Sequence, residues 1–122
     1  MAGKILIVDD SRMLRLSLGT ALRTLGHEVV EAEHGDEALK RLGEHKDICL
    51  VISDITMPWK DGLELLQEIK ASAEYNKIPV LMLTAEGNPE EIKKAIQLGC
   101  RGWMIKPFKE ETLKNTLKSL LA

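Results

Sequence analysis

The chain has 122 residues, 17 Lys plus Arg against 19 Asp plus Glu, 44% hydrophobic residues and four aromatics, Trp59, Tyr75, Trp103 and Phe108. That length suits one domain with a core that needs no disulfide or metal staple. The net charge of −2 excludes a nucleic-acid binder recognised by bulk charge, and the composition is too balanced for an acidic disordered tail. The balance is nevertheless uneven along the chain. Residues 1–91 carry 10 basic and 17 acidic side chains, whereas residues 92–122 carry 7 and 2, so −7 is followed by +5.

The first apolar run, Ile5 to Val8, is too short for a signal-peptide core and ends in two aspartates. No run approaches the ~20 residues of a membrane span, so the cytoplasm is the expected compartment and no membrane association is expected. Cys49 and Cys100 sit in or beside apolar stretches without CxxC spacing and are expected to be reduced core thiols. His27, His34 and His45 lack zinc-site spacing and are expected to be solvent-exposed, with no chemistry.

Short apolar runs alternate with helical periods from start to finish. Ile5–Val8, Ile48–Ile52 and Val80–Leu83 are continuous β-prone runs, as in strands buried on both faces. Glu28–Ala32 and Trp103–Ile105 are more polar or shorter, as befits strands nearer a sheet edge. Leu14, Leu18, Ala21, Leu22 and Leu25 form one stripe of a helix that Gly26 can terminate. Asp36 to Leu42 makes a short second helix. Asp61 and Glu64 begin a third in capping-box fashion, with Leu63, Leu66 and Ile69 inward. Asn88, Pro89, Glu90 and Glu91 open a fourth that Gly99 ends, and Leu113, Leu117, Leu120 and Leu121 mark a fifth.

Five strands alternating with five helices imply an α/β fold, a three-layer αβα sandwich around a five-stranded parallel sheet. Ligands of such sheets bind beyond the carboxyl ends of the strands. There Val8 is followed by Asp9 and Asp10, Ser53 by Asp54, Leu83 by Thr84, and Ile105 by Lys106. Any one polar residue at a strand end is explained by the loop that starts there. Together, three carboxylates in one crevice repel unless a cation offsets them, and Lys106 supplies one positive charge. Two carboxylates with carbonyl and water oxygens suit a hard ion such as Mg²⁺. With the pocket neutralised, a carboxylate can attack a phosphoryl group and form an acyl phosphate. Asp54, ending the central strand, is the candidate nucleophile. Asp9 and Asp10 are the candidate metal-holding pair, and Thr84 and Lys106 are placed to contact phosphoryl oxygens.

These residues resemble the receiver domain of bacterial two-component response regulators, close to the single-domain chemotaxis type. Asp9-Asp10-Ser11 after the first run, Asp54 through Pro58 to Asp61-Gly62, Leu83-Thr84-Ala85 and Ile105-Lys106-Pro107-Phe108 carry the likeness in order along the whole chain. The resemblance implies the flavodoxin-like strand order 2-1-3-4-5 and a single receiver domain over residues 1–122. It implies that Asp54 accepts phosphate from a sensor histidine kinase or histidine phosphotransfer protein, with Mg²⁺ held by Asp9, Asp10, Asp54 and the Thr56 backbone carbonyl. Lys106 would pair with the phosphoryl group, its bond to Pro107 would be cis, and Thr84 would swing toward the phosphoryl group. The aromatic three residues before Lys106, here Trp103 where the family more often has Tyr or Phe, would turn inward. Packing over the sheet edge is the other reading of that indole.

Thr56 and Glu86 occupy positions that tune phosphoryl lifetime in the family, and Lys60 is read as solvent-exposed. Output would pass to an unknown downstream target protein through the fourth helix, fifth strand and fifth helix, with no direct nucleic acid and a monomer or weak dimer. Lys93, Lys94, Lys109, Lys114 and Lys118 there are either a solvated rim or a dock for an acidic partner. The resemblance makes the chain a signalling switch that catalyses only its own phosphorylation and dephosphorylation. A haloacid-dehalogenase-like phosphohydrolase would need Asp-x-Asp after the first strand, where this chain has adjacent aspartates. A flavodoxin-like cofactor binder would meet an anionic first turn, repulsive to FMN phosphate. A phosphate-independent pseudo-receiver is disfavoured by the full set of site residues. With no residues beyond the fifth helix, no attached DNA-binding domain is expected.

Overall fold

The structure is a computed structural model that describes residues 3–57, 61–85 and 89–121. The elements run β1 (Lys4–Val8), α1 (Arg12–Thr24), β2 (Glu28–Ala32), α2 (Gly35–Glu44), β3 (Ile48–Asp54), α3 (Gly62–Ala71), β4 (Val80–Thr84), α4 (Pro89–Gln97), β5 (Gly102–Ile105) and α5 (Glu110–Leu121). All pairings are parallel, in the order β2-β1-β3-β4-β5, the flavodoxin-like arrangement.

Alternation of side chains along each strand builds two cores from continuous apolar runs. Leu6, Val8, Val51, Val80 and Met82 meet Ala38 and Leu42 of α2, Leu65, Leu66 and Ile69 of α3, and Ala95 of α4. Ile5, Ile7, Leu50, Ile52, Leu81, Leu83 and Met104 meet Leu18, Ala21 and Leu22 of α1 and Leu113 and Leu117 of α5. The runs read as central strands are therefore buried on both faces, and β2 and β5 are the edges.

The helix boundaries follow local chemistry. Ser11 caps α1 by accepting from the Leu14 N–H at 3.2 Å. At the other end Gly26, at φ +94°, donates to the Arg23 carbonyl while His27 donates to that of Leu22, the reciprocal pair that closes a helix through a left-handed glycine. Gly99, at φ +101°, ends α4 in the same way, with Cys100 bonded to Ala95. The Asp61–Glu64 capping box is present at α3. Pro89 is the first residue of α4, whereas the proposed Asn88 cap lies outside the described residues.

Several expectations change. The second helix is longer than Asp36–Leu42, because His34 caps it one residue earlier and Arg41 pairs with Glu37 and Glu44 along it. In α3, Leu65 joins the buried face, and Leu63 packs only at its margin. Leu25 follows α1 as its C-cap and is 37% exposed, whereas Arg15, near the start of the helix, is buried. Both cysteines are free but half-buried rather than in the core, and burial raises both thiol pKa values. The histidines are half-buried too. His34 accepts the Glu37 N–H, His45 Nδ1 lies 3.3 Å from Lys4 Nζ, and His27 Nδ1 is the one buried side-chain nitrogen or oxygen without a hydrogen-bond partner among the described residues. No helix among the described residues is long and apolar enough to cross a membrane.

Candidate phosphorylation site

Register brings distant residues to one rim. Val8 of β1 is level with Ser53 of β3, so Asp9 follows on the level of Asp54; Asp54 is level with Leu83, and Thr84 with Ile105, after which comes Lys106. The pleat then sorts them. Asp9, Asp54 and Lys106 continue the phase of Ile7, Ile52 and Met104, the face toward α1 and α5, whereas Thr84 continues the phase of Met82.

The three aspartates converge. One carboxylate oxygen each of Asp9, Asp10 and Asp54 lie within 4.8 Å of one another. Asp9 and Asp54 are buried and Asp10 is exposed, so the cluster opens to solvent on the Asp10 side. Lys106 extends its ammonium between the two buried acids, 3.1 Å from Asp54 Oδ2 and 3.4 Å from Asp9 Oδ2. The remaining oxygens are held by backbone. Asp54 Oδ1 accepts the Thr56 N–H at 3.3 Å, and Asp9 Oδ1 accepts the Ser11 N–H at 2.8 Å. Thr84 is buried, and its carbonyl accepts the Lys106 N–H at 2.8 Å, tying the ends of β4 and β5 together. The Lys106–Pro107 bond is cis.

Burial dominates the acid–base behaviour. It raises the pKa of Asp9 and of Asp54, against the hydrogen bonds and positive charge that would lower them. For Lys106 burial alone would lower the pKa, but the hydrogen bond and charge of Asp54, joined by Asp9, leave it raised. One lysine does not make two buried carboxylates comfortable. An all-oxygen donor set that is short of positive charge fits a hard divalent cation.

Two supporting residues escaped the reading of strand ends. Gly62, first residue of α3, donates to the Ile55 carbonyl at 2.8 Å, and a Cβ there would overlap the Asp54 carbonyl oxygen. The Asp61-Gly62 pair, seven and eight residues beyond the candidate nucleophile, is the available signal. Arg15 of α1 is buried, with Nη1 2.7 Å from the Asp9 carbonyl. A lone arginine within an apolar helical stripe gives no such signal until the stripe is packed.

Trp103 is 44% exposed at the sheet edge, beside Thr116 and Leu120 of α5. The five lysines are all exposed but do not form one face. Lys114 and Lys118 line a groove with Leu25 and His27 at the end of α1, away from α4. Pro58, Trp59, Lys60 and Glu86 lie outside the described residues.

Residues 5–118 match the family model of the response regulator receiver domain, and the chain belongs to that family. Receivers are the signalling modules of two-component systems. The chain is 42% identical over 118 residues to the chemotaxis protein CheY-3 of Vibrio cholerae, covering 96% of this chain and 90% of that protein. It is 39% identical over 119 residues to a chemotaxis protein CheY homologue of Campylobacter jejuni, covering 97% and 92%. Among solved structures, Vibrio cholerae CheY4 superposes with a TM-score of 0.91 at 36% identity, covering 98% of this chain and 99% of that one. A response regulator of Chloroflexus aurantiacus, described as putative, superposes at 0.93 with 30% identity, covering 99% and 98%.

Proposed function

We propose that this chain is a phosphorylation-activated switch of a cytoplasmic two-component phosphorelay, with Asp54 as the phosphoacceptor. The observation that carries the reading is the Lys106 ammonium set between Asp54 and Asp9, with Asp10 completing a three-carboxylate cluster. The donor is a phosphohistidine on a sensor kinase or phosphotransfer domain. An Asp54 oxygen forms the new P–O bond as the P–N bond breaks, and the electron pair of that bond returns to the imidazole nitrogen.

Asp9, Asp10 and Asp54, with the Thr56 carbonyl, would hold Mg²⁺, which supplies charge neutralisation for the phosphoryl oxygens. The chain's own groups do the rest. The Thr56 N–H orients Asp54 through Oδ1, and Lys106 is within reach of a group attached at Oδ2. In this reading Thr84, which ends β4 in the opposite phase of the pleat, must swing its hydroxyl across to reach that group. Phosphorylation removes the partner that Lys106 has in Asp54 and offers it phosphoryl oxygens instead. That change at the ends of β4 and β5 is transmitted to a face where Ile96, Trp103 and Ile105 are exposed, and a target protein docks there.

Intact mass after incubation with acetyl phosphate and Mg²⁺ tests the reading. One phosphoryl addition is expected, and Asp54→Ala should lose it. No addition from small donors or from a cognate kinase would overturn it.

A further inference from the structure

We infer that Arg15 is a positioning residue for the acidic cluster, one that sets its divalent-cation affinity by fixing the backbone of Asp9. The inference rests on reading that cluster as a Mg²⁺ site. Arg15 is 7% exposed and is the one buried basic side chain among the described residues. Its guanidinium is engaged in three directions. Nη1 donates to the Asp9 carbonyl at 2.7 Å, Nε donates to Glu31 Oε1 at 3.1 Å, and Nη2 lies 3.5 Å from Glu33 Oε1. A planar, rigid fork bound at three points has little freedom left.

Asp9 is correspondingly immobilised. Its N–H donates to the Ala32 carbonyl at 3.1 Å, its carbonyl accepts from Arg15, and its Oδ1 accepts from the Ser11 N–H. The first two bonds tie the end of β1 to the end of β2 and to α1. The third aims the carboxylate. The positive charge of Arg15 is answered by Glu31 and Glu33, so its effect on the aspartates is geometric, and Lys106 remains their direct counter-charge. Without Arg15 the Asp9 carbonyl is buried with no side-chain donor, and the Asp9–Ser11 turn is free to relax away from Asp54.

The test is a Mg²⁺ titration of the metal-free protein, followed by calorimetry or amide chemical shifts, with urea unfolding measured on the same samples. Removing a group that orients a metal ligand characteristically costs about 10-fold or more in affinity. Arg15→Met keeps the apolar stem and should weaken Mg²⁺ binding about 10-fold. Arg15→Lys, which can reach the carbonyl or Glu31 but not both, should fall between. Glu31→Gln leaves the guanidinium in place with a weaker second anchor and should weaken binding by about 2-fold; it decides the matter if Arg15→Met does not fold. Glu44→Gln, which breaks only a surface pair with Arg41 at the end of α2, should leave the affinity unchanged. If the Arg15 variants lose stability but bind Mg²⁺ like the parent, Arg15 is structural only and the inference fails. If the parent itself takes up neither Mg²⁺ nor a phosphoryl group from acetyl phosphate, it is the reading of the site that fails.

Discussion

Lys106 Nζ and Asp54 Oδ2 lie 3.1 Å apart across 52 positions of sequence, joining the end of β5 to the end of β3. The pair is mostly shielded from water, and the same ammonium also reaches Asp9. It therefore occupies the place where a cation's charge is wanted. Lys106→Met should destabilise the metal-free protein, because two buried carboxylates lose their counter-charge. The same variant should bind Mg²⁺ about 5-fold more tightly, since one repelling charge near the cluster is gone. Calorimetric titration checks both the sign and the size, and equal or weaker affinity would contradict the arrangement.

The raised pKa values of Asp9 and Asp54 have a definite sign in stability. The folded state holds these protons more tightly than the unfolded chain does. At neutral pH both groups are therefore a cost, and the cost is relieved as pH falls through their folded values toward the unfolded value near 3.8. Asp54→Asn retains an oxygen for the Thr56 N–H and removes one charge. In chelator at pH 7 it should melt about 3 °C above the parent, a gain of about 1 kcal/mol. The gain should shrink as pH approaches 4, and scanning calorimetry at several pH values follows it. A variant that melts below the parent at pH 7 would show that the Lys106 bond outweighs the desolvation of Asp54.

Two glycines separate backbone conformation from packing. At Gly26 a Cβ would meet nothing within 4 Å, so Gly26→Ala pays only for the left-handed backbone, about 1–2 kcal/mol. Phosphorylation should be unchanged. At Gly62 a Cβ would overlap the Asp54 carbonyl and crowd Ile55, so Gly62→Ala must displace the strand end that carries the nucleophile. It should cost more than about 2 kcal/mol and slow phosphorylation from acetyl phosphate at least tenfold. Urea unfolding and timed intact-mass measurements distinguish the two variants.

Trp103 is nearly half exposed, and an inward turn on activation would bring the indole into less polar surroundings. A Trp59→Phe variant reports Trp103 alone. Its emission should shift to the blue when beryllofluoride and Mg²⁺ are added to mimic the phosphoryl group. An unchanged spectrum would leave Trp103 as packing over the sheet edge.

What the sequence determined by itself is local. Continuous apolar runs dictated strands with two buried faces, Asp61 and Glu64 dictated a helix start, and Gly26 and Gly99 dictated helix ends, because each depends on residues within a turn or two of one another. The polar residues at the strand ends were legible for the same reason. Tertiary structure decided what chain order does not encode. Strand order and register set Asp9, Asp54 and Lys106 on one face of the pleat and Thr84 on the other. Packing of α1 against β1 and β2 turned Arg15 inward onto the Asp9 carbonyl and left Leu25 outside, a choice that the apolar stripe of α1 does not contain. The charge asymmetry along the chain was real, yet Lys114 and Lys118 belong beside α1, apart from α4. Adjacency in a parallel sheet is set by long crossovers and by the burial of both faces together, and neither is a property of any short segment.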